Sequence, residues 1–289
     1  MKIHLIDGTY ELFRSFYGPP PKQAPDGREV GATVYLMKNL IALLNQADVT
    51  HLACAFDHEI RSFRNDLFDG YKTGEGVDPL LLDQFELAER AVSAMGIVVW
   101  PMVEFEADDA IATAAVRFQD DGRVEQVLVC SPDKDLTQLV AGHRVVCWDR
   151  RRELIYDESA VIEKYGVPPA SIPDYLALVG DAADGIPGIT GWGAKSTSVV
   201  LSAFGHIEAI PPKLEEWGIP VGRAKTLYAN LDANREAALL YRQLTTLRKD
   251  VPLSEKLNDL EWKGARAELK ALCQELGAND IVEKITAWI

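Results

Sequence analysis

Residues 2–18 read KIHLIDGTYELFRSFYG. A short apolar run stops at Asp7-Gly8, and a helix-like pattern carrying Arg14 takes over. That is the outline of a strand, a turn and a helix. In open α/β sheets, ligands gather outside the carboxyl ends of the strands. Asp7 is therefore a nucleophile, a metal ligand or only a turn residue, with Gly8 expected to let the chain turn, and the rest of the chain has to decide.

Outward from this stretch the pattern repeats. KIHLID (2–7), THLACAFD (50–57), GIVVWP (96–101), QVLVCS (126–131) and RVVCW (144–148) read as strands. Residues 31–46, 80–95, 107–119 and 135–141 are apolar at helical spacing. Strands alternating with helices imply a mainly parallel central sheet flanked by helices, an α/β fold. WDRRRELIYD (148–157) reads as a terminal hairpin. Beyond VPPASIP (167–173) the pattern turns mostly helical, with a glycine-rich knot at GDAADGIPGITGWGAK. The expected division is a core over 1–172 and a helical region over 173–289.

The chain has 289 residues, 47% of them hydrophobic, enough for one large or two modest cores. No apolar run approaches a membrane span, and Asp7 and Glu11 interrupt what would be a signal peptide. Cys54, Cys130, Cys147 and Cys273 are widely spaced, as in reduced thiols of a cytoplasmic protein. The formal net charge of −14 argues by itself against nonspecific nucleic-acid binding. Concentrated acids weaken that argument, so the charges must be read locally.

Asp7 and Asp57 close the first two strands. Glu106, Asp108 and Asp109 open a helix in FEADDAIATAA, Asp133 and Asp135 follow a strand in CSPDKDLTQL, and Asp181 and Asp184 sit in GDAADG. Each has an ordinary explanation as a cap, a turn residue or a helix-dipole partner. Together they are costly. Two carboxylates about 4 Å apart repel by roughly 4 kcal/mol at an effective dielectric of 20. Shared protons or divalent cations make such a cluster tolerable, and oxygen-only ligands favour Mg²⁺ or Mn²⁺. Paired ions of this kind serve phosphodiester hydrolysis. Asp7-Gly8-Thr9 is also similar to the nucleophile loop of haloacid-dehalogenase-type phosphatases, but their D-x-D-G-T motif needs an Asp where Leu5 stands.

GIPGITGWGAKS (185–196) resembles a P-loop until Ala194 separates Gly193 from Lys195, which excludes Walker A. The remaining readings are a tight helix–helix connection, or a hairpin whose amides and Lys195 meet a phosphate strand. Arg14, Arg64 and Lys72 would supply countercharge beside the acidic edge.

LIDG…LFRSFY, AFD…SFRND…GYK, FEADDAIA, PDKDLTQL and VGDAADGIPGITGWGAKS occur in order over residues 2–285. In this set the chain resembles the 5′-nucleases, which include the 5′→3′ exonuclease domain of bacterial DNA polymerase I and the flap endonucleases. The resemblance implies a PIN-like core with two metal sites. One involves Asp7, Asp57, Glu106, Asp108 and Asp109; the other lies near Asp133, Asp135, Asp181 and Asp184. Arg14 and Lys72 would contact the scissile phosphate, with Asp109 and Asp133 in the catalytic set and Arg64 among the substrate contacts. Gly188, Gly191, Gly193 and Lys195 would form a helix-hairpin-helix-like element, at about 174–205, that grips duplex DNA and binds K⁺. Residues 70–95 would be an arch for a single-stranded 5′ end. Glu75 stands where members often carry Arg, and Thr190 where they commonly have Lys.

The expected protein is thus a free-standing, monomeric, cytoplasmic enzyme, for which the resemblance implies two Mg²⁺ or Mn²⁺ ions. Its partners would be DNA with 5′ single-strand/duplex junctions and RNA–DNA hybrids, in replication or repair. The alternatives are a branched-DNA-binding member with weak or lost cleavage and a PIN-type ribonuclease.

Overall fold

The computed structural model describes residues 1–289. Along the chain run β1 (Lys2–Asp7), α1 (Gly8–Tyr17), α2 (Gly31–Leu44), β2 (His51–Asp57), α3 (Phe63–Leu67), α4 (Pro79–Leu82), α5 (Phe85–Ala94), β3 (Val98–Met102) and α6 (Ala107–Gln119). There follow β4 (Gln126–Cys130), β5 (Val145–Asp149), β6 (Leu154–Tyr156), α7 (Glu158–Tyr165), α8 (Ile172–Val179), α9 (Ala194–Phe204), α10 (Ala224–Ala233), α11 (Arg235–Thr245) and α12 (Glu268–Glu275). These divide between two compact units. The first comprises Met1–Ser62, Gly74–Ser131 and Lys249–Ile289; the second comprises Phe63–Thr73 and Pro132–Arg248.

In the first unit four strands lie in the order β3-β2-β1-β4, every neighbouring pair parallel. β1 and β2 are buried almost end to end, which is why they read as apolar runs rather than as alternations. The register sets Asp7 opposite Ala55, Asp57 opposite Met102 and Ile6 opposite Cys130. All four carboxyl ends therefore share one edge. α1, α5 and α6 pack on the strands, and α2 packs on α1 and α5. Gly8 begins α1 and serves close packing rather than a turn. A Cβ there would lie 2.6 Å from the Phe56 ring and 2.7 Å from the Ala55 carbonyl oxygen.

Packing in this unit bears on two expectations. Residues 79–94, within the span expected as an arch (70–95), carry α4 and α5, where Leu81, Ala88, Ala91 and Val92 are fully buried. The apolar stripe of α5 needs a core, which α2 and β3 supply. The C-terminal stretch is not one helical region. Residues 249–289 return to the first unit, where Trp262 donates its amide to the Thr50 carbonyl and Arg266 donates to that of Ala94.

The second unit is mainly helical, with β5 and β6 as an antiparallel hairpin. Residues 135–141, expected as a helix, form a single 3-10 turn over Asp135–Leu139. α8 packs on α9 and α11. Tyr71, Ile186 and Leu244 form a buried cluster flanked by Phe68, Leu240 and Tyr241. The α8–α9 connection closes on its glycines. Gly188 has φ +70°, and a Cβ on it would meet the Gly180 nitrogen at 2.6 Å. No helix is long and apolar enough to cross a membrane.

Candidate metal centre

At the strand edge of the first unit, the ordinary roles of the acids are filled and their carboxylates are fixed by filling them. Asp7 caps α1, accepting the Tyr10 amide on Oδ1 at 2.8 Å, while Ser131 Oγ donates to Oδ2 at 2.8 Å. Asp57 Oδ1 accepts the Ala107 amide at 2.7 Å, which docks the start of α6 at the end of β2. Glu106 takes the Ser62 hydroxyl at 2.7 Å. Asp109, with no exposure, accepts the Glu106 amide at 3.0 Å. Asp108 is half-buried beside them. Asp7, Asp57, Glu106, Asp108 and Asp109 thus belong to one edge of one sheet, anchored by backbone amides and two serines.

Arg14 is half-buried and paired with Glu11, one turn earlier on α1 and itself only 1% exposed. Its Nε is buried without a hydrogen-bond partner. A buried Glu at i−3 restricts where the guanidinium can reach. The Glu11-x-x-Arg14 spacing carries that signal in the sequence.

In the second unit, Asp135, Asp181 and Asp184 each offer a carboxylate oxygen, and these lie within 4.8 Å of one another. A tight loop delivers two of them. The Asp181 amide donates to Ile186 O at 2.8 Å, and the Ile186 amide donates to Asp181 O at 2.7 Å. Gly185 has φ +73°, and a Cβ on it would lie 2.1 Å from the Gly70 carbonyl oxygen, so a side chain there would open the loop. Asp133 is exposed and accepts the Asp135 amide at 2.8 Å, which turns the third carboxylate inward.

Asp135 is 6% exposed, and its Oδ1 has no hydrogen-bond partner. Burial, then the charges of Asp133, Asp184 and Asp181, pushes its carboxyl well above the ordinary range. A buried acceptor left unsatisfied among like charges is what a cation would repair. Three oxygen donors suit a hard ion such as Mg²⁺ or Mn²⁺. Lys72 Nζ is 3.4 Å from Asp184 Oδ1, and Lys134 Nζ is 2.6 Å from Asp181 Oδ2. Lys134 sits inside the PDKD motif, yet its type and position gave no hint of this long-range partner.

Arg64 departs from its expected role as a substrate contact. It is 1% exposed, and its guanidinium donates to the carbonyls of Leu244 at 2.7 Å and Thr246 at 3.3 Å. A planar fork with several donors suits two carbonyls as well as it suits phosphate. Here it joins α3 to the end of α11. Gly191 and Gly193, the exposed Lys195 and Arg223 line a cavity of about 620 Å³ at the start of α9.

A parallel sheet with carboxylates along its carboxyl edge, and a glycine-looped helical unit carrying three more, define a class of acidic-site α/β proteins. The family follows from comparison. The model for the N-terminal resolvase-like domain of 5′-3′ exonucleases matches residues 2–166, and that for their C-terminal SAM fold matches residues 167–268. The chain belongs to the 5′-3′ exonuclease family. It is 32% identical over 284 residues to the 5′-3′ exonuclease of Aquifex aeolicus, covering 95% of this chain and 94% of that one. It is 34% identical over 291 residues to DNA polymerase I of Bacillus caldotenax, covering 98% of this chain but 32% of that one. The chain therefore spans about a third of that polymerase. A solved structure of T5 5′-exonuclease with bound divalent zinc ions superposes with a TM-score of 0.64 at 18% identity, covering 98% and 96% of the two chains. At that identity the likeness is one of fold.

Proposed function

We propose that the chain is a structure-specific 5′ nuclease, hydrolysing DNA phosphodiesters at 5′ ends and at the single-strand/duplex junctions of flaps. The observation that carries the reading is the Asp135–Asp181–Asp184 triad, with Asp135 and Asp181 buried and an orphaned oxygen on Asp135, in a member of this family. Mg²⁺ or Mn²⁺ would be held there and by Asp7, Asp57, Glu106, Asp108 and Asp109. Bound divalent ions lower the pKa of water and stabilise charge on a leaving oxygen. The chain's own groups do the rest. The loop over 181–186 holds two carboxylates in register, and the Ala107 amide fixes Asp57. Lys72, already turned to the triad, and Arg14 would offset charge on the substrate phosphate. Asp109 and Asp133 position neighbouring groups through the amides they accept. A 5′-phosphate and a 3′-hydroxyl would result.

The amides at the start of α9, with Gly188, Gly191, Gly193 and Lys195, would hold a duplex backbone, and K⁺ would bind in the same turn. Residues 70–95 would guide a single strand, with 73–78 lying outside the helices α4 and α5. A monomer in the cytoplasm, with RNA–DNA hybrids among its substrates and a role in replication or repair, completes the reading. Buried free thiols agree with a reducing compartment.

The test is a labelled 5′-flap duplex beside a matched single-stranded RNA, each with Mg²⁺ or with EDTA. Cleavage of the flap only with Mg²⁺ is the expected result. Flap binding without cleavage would replace the reading with a binding module. Preference for the RNA would replace it with a ribonuclease.

A further inference from the structure

Lys134 lies within the acidic cluster of the second unit and takes no part in the reaction proposed above. Its ammonium holds Asp181 Oδ2 at 2.6 Å, and the other oxygen of Asp181 accepts the Ala183 amide at 3.1 Å. Both oxygens of a nearly buried carboxylate are therefore engaged. Beside it, Asp135 keeps a buried oxygen with no partner. A divalent cation drawn to that oxygen needs Asp181 as well, and an ammonium on the same atom repels it. The Lys134 side chain is 36% exposed, so it has open solvent into which to withdraw.

We propose that Lys134 is a built-in competitor for the divalent ion. Its ammonium holds Asp181 while the cluster is empty of metal, must release it when a cation enters, and so sets the affinity of the Asp135–Asp181–Asp184 site without touching substrate. The inference rests on reading those carboxylates as a metal site. It differs from a purely structural role in the sign of its consequence. A lysine that only holds the cluster together would, on removal, loosen it and weaken metal uptake. A competitor, on removal, strengthens uptake.

The experiment is calorimetric titration of the full chain with Mn²⁺, without DNA. The binding event of interest is the one abolished by Asp181→Asn. In Lys134→Met that event should tighten at least tenfold, and Lys134→Gln should do the same, so failure of one variant to fold leaves the other to decide. Lys134→Arg, which keeps the charge, should stay within threefold of wild type. Equal or weaker Mn²⁺ binding by folded Lys134→Met or Lys134→Gln overturns the inference alone. A wild-type chain that takes up no Mn²⁺ overturns the metal reading with it. Cleavage of flaps is scored separately and does not enter either outcome.

Discussion

Replacing Asp135 by Asn should stabilise the metal-free protein while removing its response to metal. Asp135 lies within 4.8 Å of two other carboxylate oxygens. Unit charges at that separation repel by about 3.5 kcal/mol at an effective dielectric of 20, so two neighbours oppose its ionisation by about 7 kcal/mol before Lys134 offsets part. Protonation lets the chain avoid the full cost, because burial and the neighbouring acids raise this carboxyl well above the ordinary range. A raised native pKa means that the folded state binds the proton more tightly than the unfolded state. This group's contribution to stability is then greatest at low pH and falls as pH rises from about 4 through the native pKa.

Asparagine removes that loss and adds an N–H donor toward the remaining carboxylates. A net gain on the order of 1–3 kcal/mol at pH 8 corresponds to a melting temperature roughly 3–8 °C higher in EDTA. Added Mg²⁺ should reverse the order. Ligand at about 100 times its Kd stabilises wild type by roughly 2.7 kcal/mol, and the variant should lose most of that gain. Circular-dichroism melts in EDTA and in MgCl₂, at pH 5 and pH 8, read both effects. A metal-free variant that melts at or below wild type at pH 8 would refute the electrostatic reasoning. So would a variant that keeps the whole Mg²⁺ shift.

Arg64→Ala should lower the urea midpoint, by an amount equal to about 2–4 kcal/mol, because it orphans the buried carbonyl of Leu244, removes a bond to that of Thr246 and empties a buried site. An unchanged midpoint with weakened flap binding would restore Arg64 as a substrate contact. The four cysteines are buried, and burial pushes the Cys273 thiol up to about 11. Ellman's reagent at pH 8 should therefore label none of them within minutes in native protein and all four in guanidinium; rapid native labelling of Cys273 would contradict its placement.

The parts of the fold legible in the sequence were those buried on both sides. β1, β2 and α6 appear within a residue of their expected bounds, because a parallel strand or helix packed in a core must be apolar along its length. The acids at Asp7, Asp57 and Glu106–Asp109 were legible for a related reason, since strand direction alone puts them on one edge. What depended on distant partners was not. Arg64 looked like a free cation until carbonyls 180 residues onward took its donors. Residues 80–95 were legible as a helix from their apolar spacing, whereas the arch over 70–95 came from the resemblance alone. The return of 249–289 to the first unit runs through backbone hydrogen bonds and short turns, which leave little periodicity to read. Lys134 and Ser131 are ordinary residue types whose importance lies in the distant Asp each one meets.

If metal held by these carboxylates lets the chain cut DNA, Asp181→Ala should remove that activity. Single-turnover cleavage of a 5′-flap in Mg²⁺ should fall by about 10³-fold or more, as expected when a metal ligand is removed from phosphodiester hydrolysis. Flap binding measured in Ca²⁺ should persist, since the turn at α9 proposed to hold the duplex is untouched. Turnover within tenfold of wild type would contradict the assignment of the site.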